Sequence, residues 1–372
     1  MIKPLLKRAH HVLRSSSGDL CIGEIPGRSK VIVSPPAWVE PVLALLDGEH
    51  TLARIGKELS ATGIHVSADE LNGLVASLHA FGLLEDGALR SATLSGSEIE
   101  RYDRQILQFS IGTGARSDAS FTYQERLKEA RVLILGMGGW GTWCALTLAR
   151  LGVGTLRLVD GDTVETSNLN RQVLYRCEDV GSNKVDAAVR ALAEHNPHVR
   201  VEPFMEFVSA EPSRLTELMR DVDAVLIAWA SLGYFRKDTA EAVVHDVARN
   251  SGVPVLELGG DPFNVSVGPL YPYGKGDTTF AAVRESQQRR FYSEDPWIRS
   301  FQEARLRNDF CDGARLVNAW QSAPSLSVMA GLACDELVRL LTGYEACRLV
   351  GRRTCISLQD FTLKDEVVFV DQ

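Results

Sequence analysis

The chain has 372 residues, 45% of them hydrophobic and 24% charged, with a formal net charge of -8; this is the make-up of a globular protein with core enough for one large domain or two ordinary ones. The acidic balance argues against nucleic acid as a partner. The longest apolar run, near Leu326 to Leu341, is broken by Asp335, Glu336 and Arg339, short of the roughly 20 residues a membrane span needs. The basic N-terminal stretch MIKPLLKRAHHVLRSSS has no continuous apolar core, so no signal peptide is read and a cytoplasmic location is expected. Cysteines at 21, 144, 177, 311, 334, 347 and 355 form no CxxC pair, which argues against a disulfide framework and leaves no zinc site of the usual paired spacing.

Residues 18 to 90 read as a small winged-helix-like α+β domain. DLCIGEIP and KVIVS form a hairpin around Gly27, and three short helical patterns follow. In the last of these Ser67 and Glu70 make a capping box, and Leu71, Leu74, Val75, Leu78 and Phe81 share one helical face. SATLSGSE (91 to 98) is a small-residue tether, EIERYDRQILQFS a helix, and Gly112 to Ser120 a loop. From Arg131 onward apolar runs alternate with amphipathic helices: RVLILG, helix 140 to 152, TLRLVD, helix 182 to 195, VRVEPF, helix 212 to 220, AVLIAW, helix 236 to 251, PVLEL. That alternation predicts a Rossmann-like, doubly wound, mostly parallel sheet. Residues 275 to 318 are polar and weakly periodic, a long crossover, before a helix from 325 to 342. The expected domains are 1–95 and 96–372.

RVLILGMGGWG places Gly136, Gly138, Gly139 and Gly141 between a buried strand and a helix, where backbone amides can face phosphate oxygens. Such a turn serves nicotinamide, flavin and ATP alike. The next strand ends at Asp160 and Asp162, carboxylates able to accept from ribose hydroxyls. The polar stretch that follows separates the cofactors. Attack on the α-phosphate of ATP spreads charge over a departing pyrophosphate, which fixed cations must stabilise. Arg171 offers a rigid fork and Lys184 a compact charge, while Asn168 and Gln172 can orient oxygens or the loop itself.

GMGGWG, VDGDTVETSNLNRQVL and EDVGSNKVDAA together resemble the adenylating core shared by ThiF, MoeB and ubiquitin-activating enzymes, over most of residues 100 to 345. The resemblance implies a ribose held by Asp162 and phosphates held by Asn168, Arg171, Gln172 and Lys184. RYDRQIL also matches, and implies that Arg104 crosses a homodimer interface into the partner's ATP site. The sequence departs from this family where its members end the fourth strand with a magnesium-binding Asp: Ala230 and Ser231 stand there. Asp261, with Glu257 second, is the expected substitute for holding Mg2+. Cys177 and Cys311, the cysteines in predicted loops, are candidate nucleophiles.

A winged-helix-like module invites a DNA-binding reading, but residues 18 to 90 carry five Lys/Arg against ten Asp/Glu, the wrong sign for phosphate. LLDGEHTLARIGKEL and SADELNGLVASLHAFGLLED instead resemble PqqD-like domains, which implies capture of a leader peptide by strand addition. VSVGPLYPYGKG and APSLSVMAGLACDEL further resemble the MccB-like and PaaA-like enzymes that modify ribosomally made peptides. The resulting expectation is a homodimeric adenylyltransferase that uses ATP and Mg2+ to activate a carboxyl or amide group of a precursor peptide, in the manner of antibiotic biosynthesis. The alternatives are activation of a ubiquitin-like sulfur carrier and a non-catalytic leader-binding scaffold; a nicotinamide oxidoreductase has no use for the cation set.

Overall fold

The computed structural model describes residues 1–112, 118–229, 239–260, 263–273, 279–306 and 322–370. The chain divides into two compact units, Met1–Arg126 with Thr342–Ala346, and Leu127–Leu341 with Cys347–Gln372.

In the first unit β1 (Pro4–Leu6) pairs antiparallel with β5 (Leu84–Asp86), and β2 (Val12–Arg14), β3 (Leu20–Ile22) and β4 (Lys30–Ile32) form a second antiparallel sheet in that order. The hairpin expected around Gly27 is the β3–β4 pair, with Cys21 opposite Val31. Three helices follow: α1 (Val39–Leu45), α2 (Leu52–Ala61) and α3 (Ala68–Ala80). Thr51 caps α2, and the Ser67–Glu70 capping box opens α3 with both reciprocal bonds present. Leu20, Ile22, Val42, Ile55, Leu59, Leu71, Val75 and Leu78 close a core between helices and sheet, each side chain contributing about 1.5–3 kcal/mol by leaving water.

The helix expected at 98 to 110 is two, α4 (Gly96–Arg101) and α5 (Asp103–Ser110). A capping box between Ser95 and Glu98 starts α4 inside the stretch expected to be a tether. One further helix, α6 (Phe121–Glu129), was hidden in the polar run FTYQERLKE.

The second unit is built on an eight-stranded sheet. Its strands are β6 (Arg131–Leu135), β7 (Thr155–Val159), β8 (Arg200–Phe204), β9 (Ala224–Ile227), β10 (Val255–Gly260), β11 (Asn264–Tyr271), β12 (Arg352–Ser357) and β13 (Leu363–Val367). Their spatial order is β13-β12-β11-β10-β9-β6-β7-β8. The five strands read from sequence, β6 to β10, are parallel, and β11 to β13 extend the sheet antiparallel. The fold is therefore the mostly parallel Rossmann-like sheet preceded by a small α+β module.

Helices α7 (Gly139–Leu151), α8 (Lys184–His195), α9 (Pro212–Leu218) and α10 (Ala240–Ser251) connect the parallel strands. Within the crossover, α11 (Phe280–Phe291) and α12 (Pro296–Leu306) precede α13 (Ala323–Thr342). The chain runs β6, β7, β8 in one direction and then returns to lay β9 on the other side of β6. Open α/β sheets collect ligands at such a reversal, outside the carboxyl ends of the strands. Among the described residues no helix is long and apolar enough to cross a membrane.

Candidate nucleotide-binding site

The carboxyl ends of β6, β7 and β9 meet around a cavity of about 330 Å³, lined by Gly136, Gly138, Gly139, Asp160, Asp162, Asn168, Arg171, Gln172 and Lys184. Six further residues read from sequence as one set, Asp160, Asp162, Asn168, Arg171, Gln172 and Lys184, thus converge on the glycine turn that follows β6. Gly136 has φ +99, and a Cβ there would lie 2.9 Å from the Ala228 carbonyl; one on Gly141 would lie 1.9 Å from the Gly136 carbonyl. These two glycines close the turn. Gly141 does not line the cavity, whereas the space over Gly138 is open to within 4.0 Å of the Gln172 amide. Gly138 caps α7 with no side-chain partner, so the helix N-terminus presents its free amides to the cavity.

The two aspartates expected at the ribose divide their labour. Both oxygens of Asp160 are engaged by backbone: Met137 N donates to one at 2.6 Å and Asp162 N to the other at 2.8 Å. Asp160 thereby ties the end of β7 to the glycine turn. Asp162, half-exposed, is the carboxylate that faces the cavity, and its Oδ2 pairs with Lys184 Nζ at 2.9 Å. Lys184 is the first residue of α8, whose N-cap is Asn183.

The 3-10 turn Thr166–Asn168 carries Asn168, and Arg171 and Gln172 follow it in the chain. Asn168 is buried and its Oδ1 accepts from Glu165 N at 3.1 Å, so it shapes the loop. Arg171 donates to the Ser167 carbonyl at 2.6 Å, and its own carbonyl is held by Trp143 Nε1 at 2.9 Å. Arg171 Nε and Gln172 Oε1 are buried with no hydrogen-bond partner; burial without a partner costs about 1–3 kcal/mol for such a group. Both sit in residues lining the cavity and are available to a polar ligand.

Trp140, Thr163, Glu165, Ala228 and Trp229 also line the cavity and were not singled out from sequence. Trp140 lies inside the glycine turn and Trp229 at the end of the fourth parallel strand, so position alone could have found them. Arg104 lies on α5 of the first unit, its side chain 90% exposed beside Asp103 at 3.3 Å.

Ala230, Ser231, Asp261 and Cys311 lie outside the described residues. Glu257, the second carboxylate put forward for magnesium, is turned into the core. Its carboxylate meets Arg284 at 2.9 Å and Arg353 at 3.4 Å, with His245 Nε2 at 3.2 Å. Burial alone would raise its pKa, but Arg284, His245 and Arg353 outweigh burial and hold it at about 2. A carboxylate neutralised by two guanidiniums does not fit a metal-ligand role. Among the described residues no group of three or more His, Cys, Asp or Glu side chains is placed to hold a metal ion. Cys177 is exposed in the short 3-10 turn Cys177–Asp179, while Cys144 and Cys334 are buried.

Comparison with known proteins places these features in a family. The ThiF family model matches residues 102–367, and a model described as the PaaA-like N-terminal domain matches residues 9–68. The molybdopterin-synthase adenylyltransferase of Escherichia coli is 30% identical over 253 residues, covering 68% of this chain and 86% of that protein. The adenylyltransferase and sulfurtransferase Uba4 of Aspergillus clavatus is 44% identical over 147 residues, covering 39% of this chain. The chain spans only 28% of the length of that Uba4. Among solved structures, PaaA is 48% identical with a TM-score of 0.80, covering 98% of this chain and all of that one. Escherichia coli MccB crystallised with ATP shares the fold at 20% identity, with a TM-score of 0.69 over 99% of this chain and 97% of that one. With the glycine turn, the Asp160–Asp162 pair and the Asn168 to Lys184 set assembled on one sheet, the chain belongs to the ThiF family.

Proposed function

We propose that the chain is an ATP-dependent adenylyltransferase acting on a ribosomally synthesised precursor peptide. The observation that carries the nucleotide half is the single cavity holding the free N-terminus of α7, Asp162, Arg171 and Lys184. Triphosphate lies on the helix N-terminus, and the ribose takes Asp162. An oxygen of a peptide carboxyl or amide group attacks the α-phosphorus. The bond from phosphorus to the bridging oxygen breaks, and pyrophosphate leaves with that electron pair. Arg171 and Lys184 offset the charge that develops on the departing oxygens, and an internal nucleophile of the peptide then displaces AMP. Magnesium enters as the counter-ion of the substrate nucleotide, an ion that keeps most of its waters. Arg104, exposed on α5, reaches the site of a second copy in a homodimer located in the cytoplasm.

The peptide half is supported by the first unit. Strand β4 is an edge of its sheet, and Val31 and Val33 on and beside it are 59% and 73% exposed. Phe81, at the end of α3, is 60% exposed with Lys30 over its ring at 5.3 Å. An unpaired edge flanked by exposed apolar side chains suits an added strand. The whole-chain likeness to PaaA and the match of residues 9–68 to the PaaA-like N-terminal domain favour a peptide over a protein carrier; MccB has been crystallised with MccA. The names of the Uba4 and molybdopterin-synthase relatives support the second reading, activation of a sulfur carrier.

Calorimetry tests the nucleotide assignment. ATP binds and the affinity falls in Arg171→Ala; tight NADH binding with no response to ATP overturns the reading.

A further inference from the structure

We infer that Trp143 and Tyr175 are positioning residues that clamp the Arg171 segment onto the glycine turn, an inference that rests on the ATP reading. From Leu169 to Arg176 the chain forms neither helix nor strand, so no regular ladder fixes Arg171. The segment is also costly to hold, because Arg171 Nε and Gln172 Oε1 are buried without a hydrogen-bond partner among the described residues. Left to itself it would turn these groups to water. Two hydrogen bonds to the glycine turn and its helix oppose that.

At one end, Trp143 Nε1 donates to the Arg171 carbonyl at 2.9 Å. Trp143 stands in the second turn of α7, where Cys144, Ala145, Leu148 and Ala149 are wholly buried. The donor therefore rises from a fixed helix, the same one whose N-terminus faces the cavity. At the other end the buried Tyr175 donates its hydroxyl to the Met137 carbonyl at 2.7 Å. Burial, with the negative charges of Asp160, Asp162 and Asp179, pushes this phenol well above its ordinary pKa, so it keeps the proton it donates. The Met137 amide is already bound to Asp160. In a planar trans peptide the C=O and the following N–H point in opposite directions. A fixed Met137 carbonyl thus also fixes the direction of the Gly138 N–H, an amide of the turn that lines the cavity. The clamp holds guanidinium and turn amides at one spacing, and a misplacement of about 1 Å at such a site can cost about 100-fold in rate.

The test is calorimetry of the full-length protein with ATP and, separately, with inorganic tripolyphosphate. Trp143→Phe keeps an aromatic ring and loses the donor. It is expected to weaken both ligands by about fivefold, because the clamp orders the groups that meet phosphate. In the Arg171→Ala background the same change is expected to add less than about twofold. Tyr175→Phe, which removes one hydroxyl, is expected to weaken both ligands by about fivefold as well. A Trp143→Phe loss of the same size with and without Arg171 would make Trp143 a support of the fold only, and overturns the clamp. Unchanged affinity in both Trp143→Phe and Tyr175→Phe, alongside a loss in Arg171→Ala, also overturns it and leaves the ATP reading standing. Absence of ATP binding in the wild type overturns both.

Discussion

Asp162 and Lys184 are joined twice: the side chains form an ion pair at 2.9 Å, and the Lys184 amide donates to the Asp162 carbonyl at 3.0 Å. The acid assigned to ribose and the cation assigned to phosphate are thus held together before any nucleotide arrives. The backbone bond fixes their spacing, while the side-chain pair can be exchanged. Lys184 is 8% exposed, so its charge is poorly screened and strongly felt by a phosphate oxygen. Lys184→Ala is therefore expected to slow AMP release by about 100-fold with little change in melting temperature. A wild-type rate in that variant would reduce Lys184 to a partner of Asp162.

The neighbouring carboxylate predicts the opposite pattern. Asp160 satisfies two backbone amides of the turn, each bond to a charged group being worth about 1.5–3 kcal/mol. Asp160→Ala is expected to cost about 2–4 kcal/mol in urea unfolding. Asp162→Ala leaves the amides of the turn satisfied and takes from the buried Lys184 its half-exposed partner; its main loss is in ATP affinity, and its stability loss is smaller than that of Asp160→Ala. Equal stability losses in the two variants would contradict this division.

Assembly can be tested by mixing. If Arg104 serves a second copy, Arg104→Ala and Arg171→Ala damage the same composite site from different chains. Mixed inactive variants should recover part of the activity through hybrid dimers. No recovery, with subunit exchange demonstrated, confines Arg104 to its own chain.

A buried charge network predicts a pH dependence of stability. Burial, with Glu257 as a like charge and Arg284 at 3.1 Å opposing, raises Glu241 from 4.5 to about 7. An acid raised on folding contributes stability that is complete below about pH 4.5 and lost as pH rises through about 7. Glu241→Gln should match wild type near pH 4.5 and be more stable by about 1–3 kcal/mol at pH 8. Glu257, held at about 2, runs the other way: its contribution is present above 4.5 and lost as pH falls towards 2. Urea melts at about pH 3, 4.5, 6.5 and 8 separate the two, the lowest pH reading Glu257 and the upper three reading Glu241. A Glu241→Gln variant with an unchanged profile would contradict the assignment.

How legible each part was depended on where its partners lie in the chain. The parallel strands β6 to β10 announce themselves as apolar runs because helices cover both sheet faces. Strands β12 and β13, RRTCIS and LKDEV, are half-buried to exposed and strongly polar, and nothing in their periodicity marks them. The helices α6 and α11 are likewise polar, with the sequences FTYQERLKE and FAAVRESQQRRF. At the site, the cluster from Asp160 to Lys184 was readable because its residues are close in sequence and chemically unusual for a loop. The role of Asp160 was not, since the amide it secures belongs to Met137, 23 positions away. Glu257 misled for the same reason: its neutralising partners Arg284 and Arg353 come from a distant helix and strand.

The central claim, attack at the α-phosphorus driven by a bound peptide, is tested most directly by ATP–pyrophosphate exchange. The full-length protein is incubated with ATP, magnesium, radiolabelled pyrophosphate and the peptide that copurifies with it from its native host. Peptide-dependent return of label into ATP is predicted, with AMP as the accumulating product and loss of exchange in Arg171→Ala. Release of ADP and inorganic phosphate instead, or hydrolysis indifferent to the peptide, would contradict it.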